Sequence, residues 1–215
     1  MRSLWPMPGN PWPHEMTITV EDNPATLLEL LWVRDAWGLR VTADAPGPLI
    51  DPPKAEAPDA RAAQDVTVWE HAWPQLWSGA VAHAAEEQSP LLLERLMRSD
   101  LDPTEHAELL QQLTGPTWGD RFDDAGLGDA FQAWQSRHTG RLIDRMHARH
   151  KANENPERRS LDALIPAWKR GLTRIVVIPC EGSFTRTIGP RALLVTAQTR
   201  DDPERYREAL AEFTA

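Results

Sequence analysis

The chain has 215 residues, 41% of them apolar and 26% charged, an ordinary globular composition. Its net charge of −9 disfavours a general affinity for nucleic acid or anionic lipid. A single cysteine, Cys180, excludes an internal disulfide framework and fits a cytoplasmic, reducing location. No apolar run nears the ~20 residues of a membrane span, and residues 1–15 lack the apolar segment of a secretory signal.

Aromatic usage is lopsided, with ten Trp against four Phe and one Tyr. Indole supplies large buried area and one N–H donor that needs a partner. The excess is read either as a Trp-filled core or as a Trp-lined surface for a partner, because Trp is enriched at binding hot spots.

Residues 1–15 carry four prolines with Trp5 and Trp12 and predict an extended arm. Met16–Val20 alternates, as a half-buried strand does. Asn23-Pro24 signals a helix start, with Asn23 as the cap, and Gly38 ends that helix. Residues 43–65 hold five prolines and read as a long loop draped on the domain, touching it at Leu49-Ile50. Thr67-Val-Trp-Glu70 has the spacing of a capping box and opens a helix with Trp69, Trp73 and Trp77 on one stripe.

Further helices are expected from Ser89-Pro90, Asp102-Pro103, about 129–150, Asn155-Pro156 and Asp202-Pro203. Between the last two lies the most β-branched stretch, Arg174–Thr196. It divides at Glu181-Gly182-Ser183 and Gly189-Pro190 into strands near 174–179, 183–188 and 191–197. The whole predicts an extended arm at 1–15 and a single α+β domain at 16–215. In it, six to seven helices pack on a small, mainly antiparallel sheet made of a C-terminal meander plus the N-terminal strand.

Catalytic signatures are sparse. The seven histidines show no HExxH and no metal-ligand spacing, so neither a metal nor another cofactor is expected. Cys180 and Glu181 stand at a strand end, where catalytic residues often sit, but Glu181 would raise rather than lower a neighbouring thiol's pKa. Residues 137–159 hold seven basic and three acidic side chains, a local +4 that leaves −13 on the rest of the chain. Arg137, Arg141, Arg145 and Arg149 recur at i+4. Such a row drifts about 40° per step around a straight helix, here toward the apolar face of Phe131, Trp134, Leu142 and Met146. Unless the helix breaks at Gly140 or projects from the body, Arg145 and Arg149 then need acidic partners.

The leading reading is a non-enzymatic interaction protein, an adaptor or subunit of an assembly. It would bind a protein partner, possibly an acidic one, through Arg141, Arg145 and Arg149 and through Trp5, Trp12 and Trp73. The alternative is an enzyme, perhaps a hydrolase, with a cleft at Cys180-Glu181. A weaker alternative is nucleic-acid binding through 137–159, where the aromatic interleaving that stacks bases is missing after Trp134.

Overall fold

A computed structural model describes residues 11–41, 44–57, 59, 64–87, 89–97, 102–152, 155–214. Trp5 and most of the arm lie outside them. The described residues form an α+β fold with ten helices and one four-stranded mixed sheet. The strands are β1 (Thr19–Glu21), β2 (Arg174–Ile178), β3 (Thr185–Ile188) and β4 (Ala192–Thr196). The helices are α1 (Ala25–Trp37), α2 (Val66–Ala84), α3 (Pro90–Leu96), α4 (Pro103–Thr114), α5 (Gly119–Phe122), α6 (Asp129–Ala152), α7 (Pro156–Arg159), α8 (Leu161–Lys169), α9 (Ala197–Asp201) and α10 (Pro203–Glu212).

The expected antiparallel meander is not what forms, and the helices outnumber the expected six to seven. The sheet order is β1-β2-β4-β3. β1 runs parallel to β2, and β2 parallel to β4 in the register Ile175↔Leu193 and Ile178↔Thr196. Only β3 pairs antiparallel, outside β4. The physical reason lies in the side chains. β4 is buried throughout and β2 nearly so, as strands covered on both faces are, whereas β3 alternates exposed and covered positions. β3 is therefore an edge. It carries Arg186 there, beside Asp44, a charge that discourages pairing with another strand.

The two sheet faces hold separate apolar layers. Val176, Ile178, Leu194 and Ile188 face α1, α2 and the start of α6. Ile175, Val177, Leu193 and Val195 face α8 and α10, with Tyr206, Leu210 and Phe213. Seven of the ten tryptophans sit in the first layer. Their N–H groups are answered by backbone carbonyls in four cases: Trp37 by Gly126, Trp73 by Leu30, Trp118 by Ala125 and Trp134 by Asp51. Trp69 packs edge-on against both Trp37 and Trp118, the arrangement that the ring quadrupole favours.

Local start signals hold where a short acidic or amide side chain precedes Pro. Asp102, Asn155 and Asp202 each accept backbone N–H groups of the first turn. Two expected starts move. Pro24, not Asn23, occupies the cap position of α1, without a side-chain cap, and Asp65 rather than Thr67 caps α2.

The Pro-rich loop is clipped down at both of its described sides. Arg34 is buried and donates to the carbonyls of Pro46 and Gly47, while Asp35 accepts from the Leu49 N–H. Leu49 forms an antiparallel bridge with Cys180, and Ile50 donates to the Pro179 carbonyl at 2.9 Å. This brings Asp51 to the carboxyl end of β2.

Candidate functional site

The three parallel strands end side by side. β1 runs out at Asp22, β2 at Pro179, and β4 at Ala197, the first residue of α9. In sheets with parallel strands, the crevice outside the carboxyl ends is the usual place for a ligand. Here α6 crosses it.

Trp134, His138, Arg141, Leu142, Arg145 and Arg149 fall on one stripe of α6, within about 60° of the helical position of His138. The helix is continuous through Gly140, where an added Cβ would meet nothing within 4 Å. The break is therefore excluded, but α6 stands exposed from Ile143 to Ala148, so Arg145 stays in water while acidic partners meet Arg141 and Arg149. Arg141 pairs with Asp51 at 2.6 Å, and Arg149 pairs with Asp201. Arg145 has no carboxylate partner among the described residues. Met146, expected on the apolar face, points away from it and is 52% exposed. His138 takes that inward place.

Between α6 and the 50–51 loop lies a cleft of about 360 Å³. Its apolar walls are Trp134, Ile50 and Pro179, and its polar rim is His138, Arg141, Asp144 and Arg145, with Asp51 opposite. A smaller adjoining space reaches Asp22 and Arg200 under Arg149. His138 is 5% exposed, lies flat on Trp134, and its Nε2 has no hydrogen-bond partner among the described residues. Burial lowers its pKa from the ordinary 6.5. Arg145 and Arg141 push the same way, and Asp51 opposes them.

Beneath the cleft is a buried ionic group. Arg200 donates to both carboxylate oxygens of Glu157, at 2.7 and 3.0 Å, and to Asp22 at 2.6 Å. The Tyr206 hydroxyl donates to Glu157 as well. Burial alone would raise the Glu157 pKa, but the hydrogen bonds and charge of Arg200 outweigh it and hold it below the ordinary value. Beside this group, the hydroxyls of Thr196, Thr199 and Ser183 form a chain that ties the Gly182 turn to the start of α9.

Cys180 is fully buried, and burial pushes its thiol up to about 12, with Arg34 opposing and Asp35 adding to the shift. A thiol so placed is protonated at neutral pH and has no accessible path to substrate. Glu181 is exposed, and its backbone N–H is bound by the Pro48 carbonyl. Trp73 has no exposed surface. Trp12 is partly buried and donates to the Met16 carbonyl. The site thus keeps Arg141, Arg145 and Arg149 together, and it separates them from Cys180, Trp12 and Trp73.

His138, Asp51, Asp22 and Arg200 escaped sequence reasoning. The i, i+4 spacing of Trp134 and His138 was the available signal for the first. The others come from segments far apart in the chain. A second cleft, about 600 Å³, opens at the amino ends of the strands. The charges of its arginines meet carboxylates, Arg174 at Glu21 and Arg191 at Glu87, while the Arg174 Nε has no hydrogen-bond partner among the described residues.

Among the described residues no group of three or more potential metal ligands lies together, and no helix is long and apolar enough to cross a membrane. No family model matches the chain, and no curated protein or solved structure is significantly similar to it.

Proposed function

We propose that the protein is a non-enzymatic interaction protein, an adaptor or subunit, that docks an acidic protein partner on the outer half of α6. One observation carries this reading. Ile143 and Met146 stand 47% and 52% exposed on the outer side of α6, turned around the helix from the rim arginines Arg141 and Arg145. Exposed large apolar side chains on a helix that also carries an unanswered cation, Arg145, are what a mixed apolar and electrostatic interface needs. Arg137, also exposed and without a carboxylate partner among the described residues, extends the positive face.

The reading narrows the expected surface to the basic helix, because Trp73 is interior. The hydrolase alternative gains nothing from a buried, protonated Cys180. Nucleic-acid binding is weakened by the pairing of Arg141 and Arg149 with Asp51 and Asp201. A cytoplasmic location fits the single, unpaired thiol.

The test is site-specific cross-linking in native cells. A benzoylphenylalanine in place of Met146 is expected to capture one discrete protein, and a paired Arg141→Glu, Arg145→Glu variant to lose it. The control is the same group in place of Val68, which is equally exposed on α2. No product from 146, or the same products from 146 and 68, would overturn the reading.

A further inference from the structure

We infer that the cleft between α6 and the Ile50-Asp51 loop binds a small carboxylate with an apolar body, its oxygens held between the His138 imidazole and the Arg145 guanidinium. Three observations converge. The first is His138, more than nine-tenths buried on the cleft wall with Nε2 unpartnered. Buried polar atoms are rarely left so, because the lost hydrogen bond to water is not replaced. The second is Arg145, a cation on the same wall, two helical turns along the stripe, with no carboxylate among the described residues to answer it. The third is the remaining lining of Trp134, Ile50 and Pro179, which suits an aryl or alkyl group. A volume of about 360 Å³ lies at the small end of ligand sites, which run from about 300 to 1,000 Å³.

Charge selects the ligand class. A cation would meet Arg145, whose charge no carboxylate among the described residues answers. A single negative charge is complementary to Arg145, since Arg141 is occupied by Asp51. A second negative charge, as on phosphate, would face Asp144 on the rim. The neighbouring Arg149 and Arg200 do not compete, being held by Asp201 and by Asp22 with Glu157.

Binding should also move a proton. His138 faces Arg141, Arg145 and Asp144 on its own helix, Asp51 on the loop, and Asp22 and Arg200 across the adjoining space. An arriving carboxylate offsets the two cations that disfavour imidazolium. The ring's pKa rises, a proton is taken up, and affinity increases as pH falls through the histidine range. The protonated ring then pairs with the carboxylate by charge.

This inference is independent of the docking reading, since a small carboxylate fits whether or not a protein covers Ile143 and Met146. The experiment titrates benzoate and hexanoate into the full chain and follows the imidazole resonances by NMR. The His138 signal is assigned by its loss in His138→Gln. Saturable shifts at His138 are expected, with affinity rising at lower pH. Arg145→Gln should weaken benzoate by about tenfold, the loss typical of one charge-assisted hydrogen bond. Ile143→Ser should leave benzoate binding unchanged while reducing capture of a protein partner. Silence at His138, an equal response to the neutral benzamide, tighter binding of inorganic phosphate, or an unaltered affinity in Arg145→Gln would each overturn the proposal.

Discussion

The imidazole of His138 lies flat on the indole of Trp134, with ring centroids 5.1 Å apart and planes within 5°. The stack holds the ring on the cleft wall, with its Nε2 closed to water and without a hydrogen-bond partner among the described residues. Trp134 is itself fixed, since its N–H donates to the Asp51 carbonyl at 2.7 Å. One helix turn thereby joins the apolar layer to the stretch of α6 whose Arg141 and Arg149 pair with Asp51 and Asp201.

The free His138 should titrate below the ordinary 6.5, and Arg145→Gln should bring its pKa part of the way back. The sign for stability follows. The unfolded state binds the proton more readily, so stability contributed by the neutral ring is complete above about 6.5. It declines as pH falls from there to the lower folded value. NMR titration of the ring and urea unfolding across that window measure both.

Arg200 and Glu157 form the most consequential ion pair. Arg200→Met should destabilise the fold by about 3–5 kcal/mol, because it strands the buried Glu157 carboxylate, and Glu157→Gln should cost less, because Asp22 still answers Arg200. The double variant Glu157→Leu, Arg200→Met should recover much of that loss. Because the Glu157 pKa is depressed, its contribution is present above about 4.5 and is lost as pH falls through the folded value. Chemical denaturation of the three variants at two pH values tests this.

Trp73→Ala should cost about 3–5 kcal/mol by opening a cavity in the indole layer. Trp73→Phe should cost less, losing the hydrogen bond to the Leu30 carbonyl and part of the ring. A Trp73→Ala protein with unchanged stability and impaired partner binding would instead place this residue at an interface.

A Cβ at Gly47 would lie 2.5 Å from the Glu181 carbonyl oxygen, backbone against backbone. Gly47→Ala should therefore lift the loop from the end of β2 and lower stability by about 1–3 kcal/mol. Loss of hydrogen-exchange protection at the Ile50 and Glu181 amides would locate the effect there.

Cys180 should not react with a disulfide reagent in the native state and should react fully after unfolding. Burial and a thiol pushed up to about 12 set this outcome. Rapid native labelling would show that the β2 end opens and would revive the thiol as a candidate nucleophile.

What the sequence made legible was local. Asp102, Asn155 and Asp202 announce their helices because the cap and its N–H partners lie within three residues. The sheet order was not legible in the same way, since the β2–β4 pairing spans the intervening β3. A signal was nevertheless present. The runs Arg174–Ile178 and Ala192–Thr196 are nearly uninterrupted apolar sequence, as central parallel strands are, whereas Thr185–Ile188 alternates like an edge. At the site, the arginine drift around α6 followed from helical geometry alone. That Asp51 and Asp201 would meet it did not, because both arrive through tertiary structure.

The central claim, that the outer half of α6 is the functional face, is tested most directly by hydrogen exchange on the chain alone and with its captured partner. Protection is expected to concentrate at 141–149 and at the Ile50-Asp51 loop. Protection confined to α3 and α4, where Leu91 and Leu110 are also exposed, with none on α6, would contradict it.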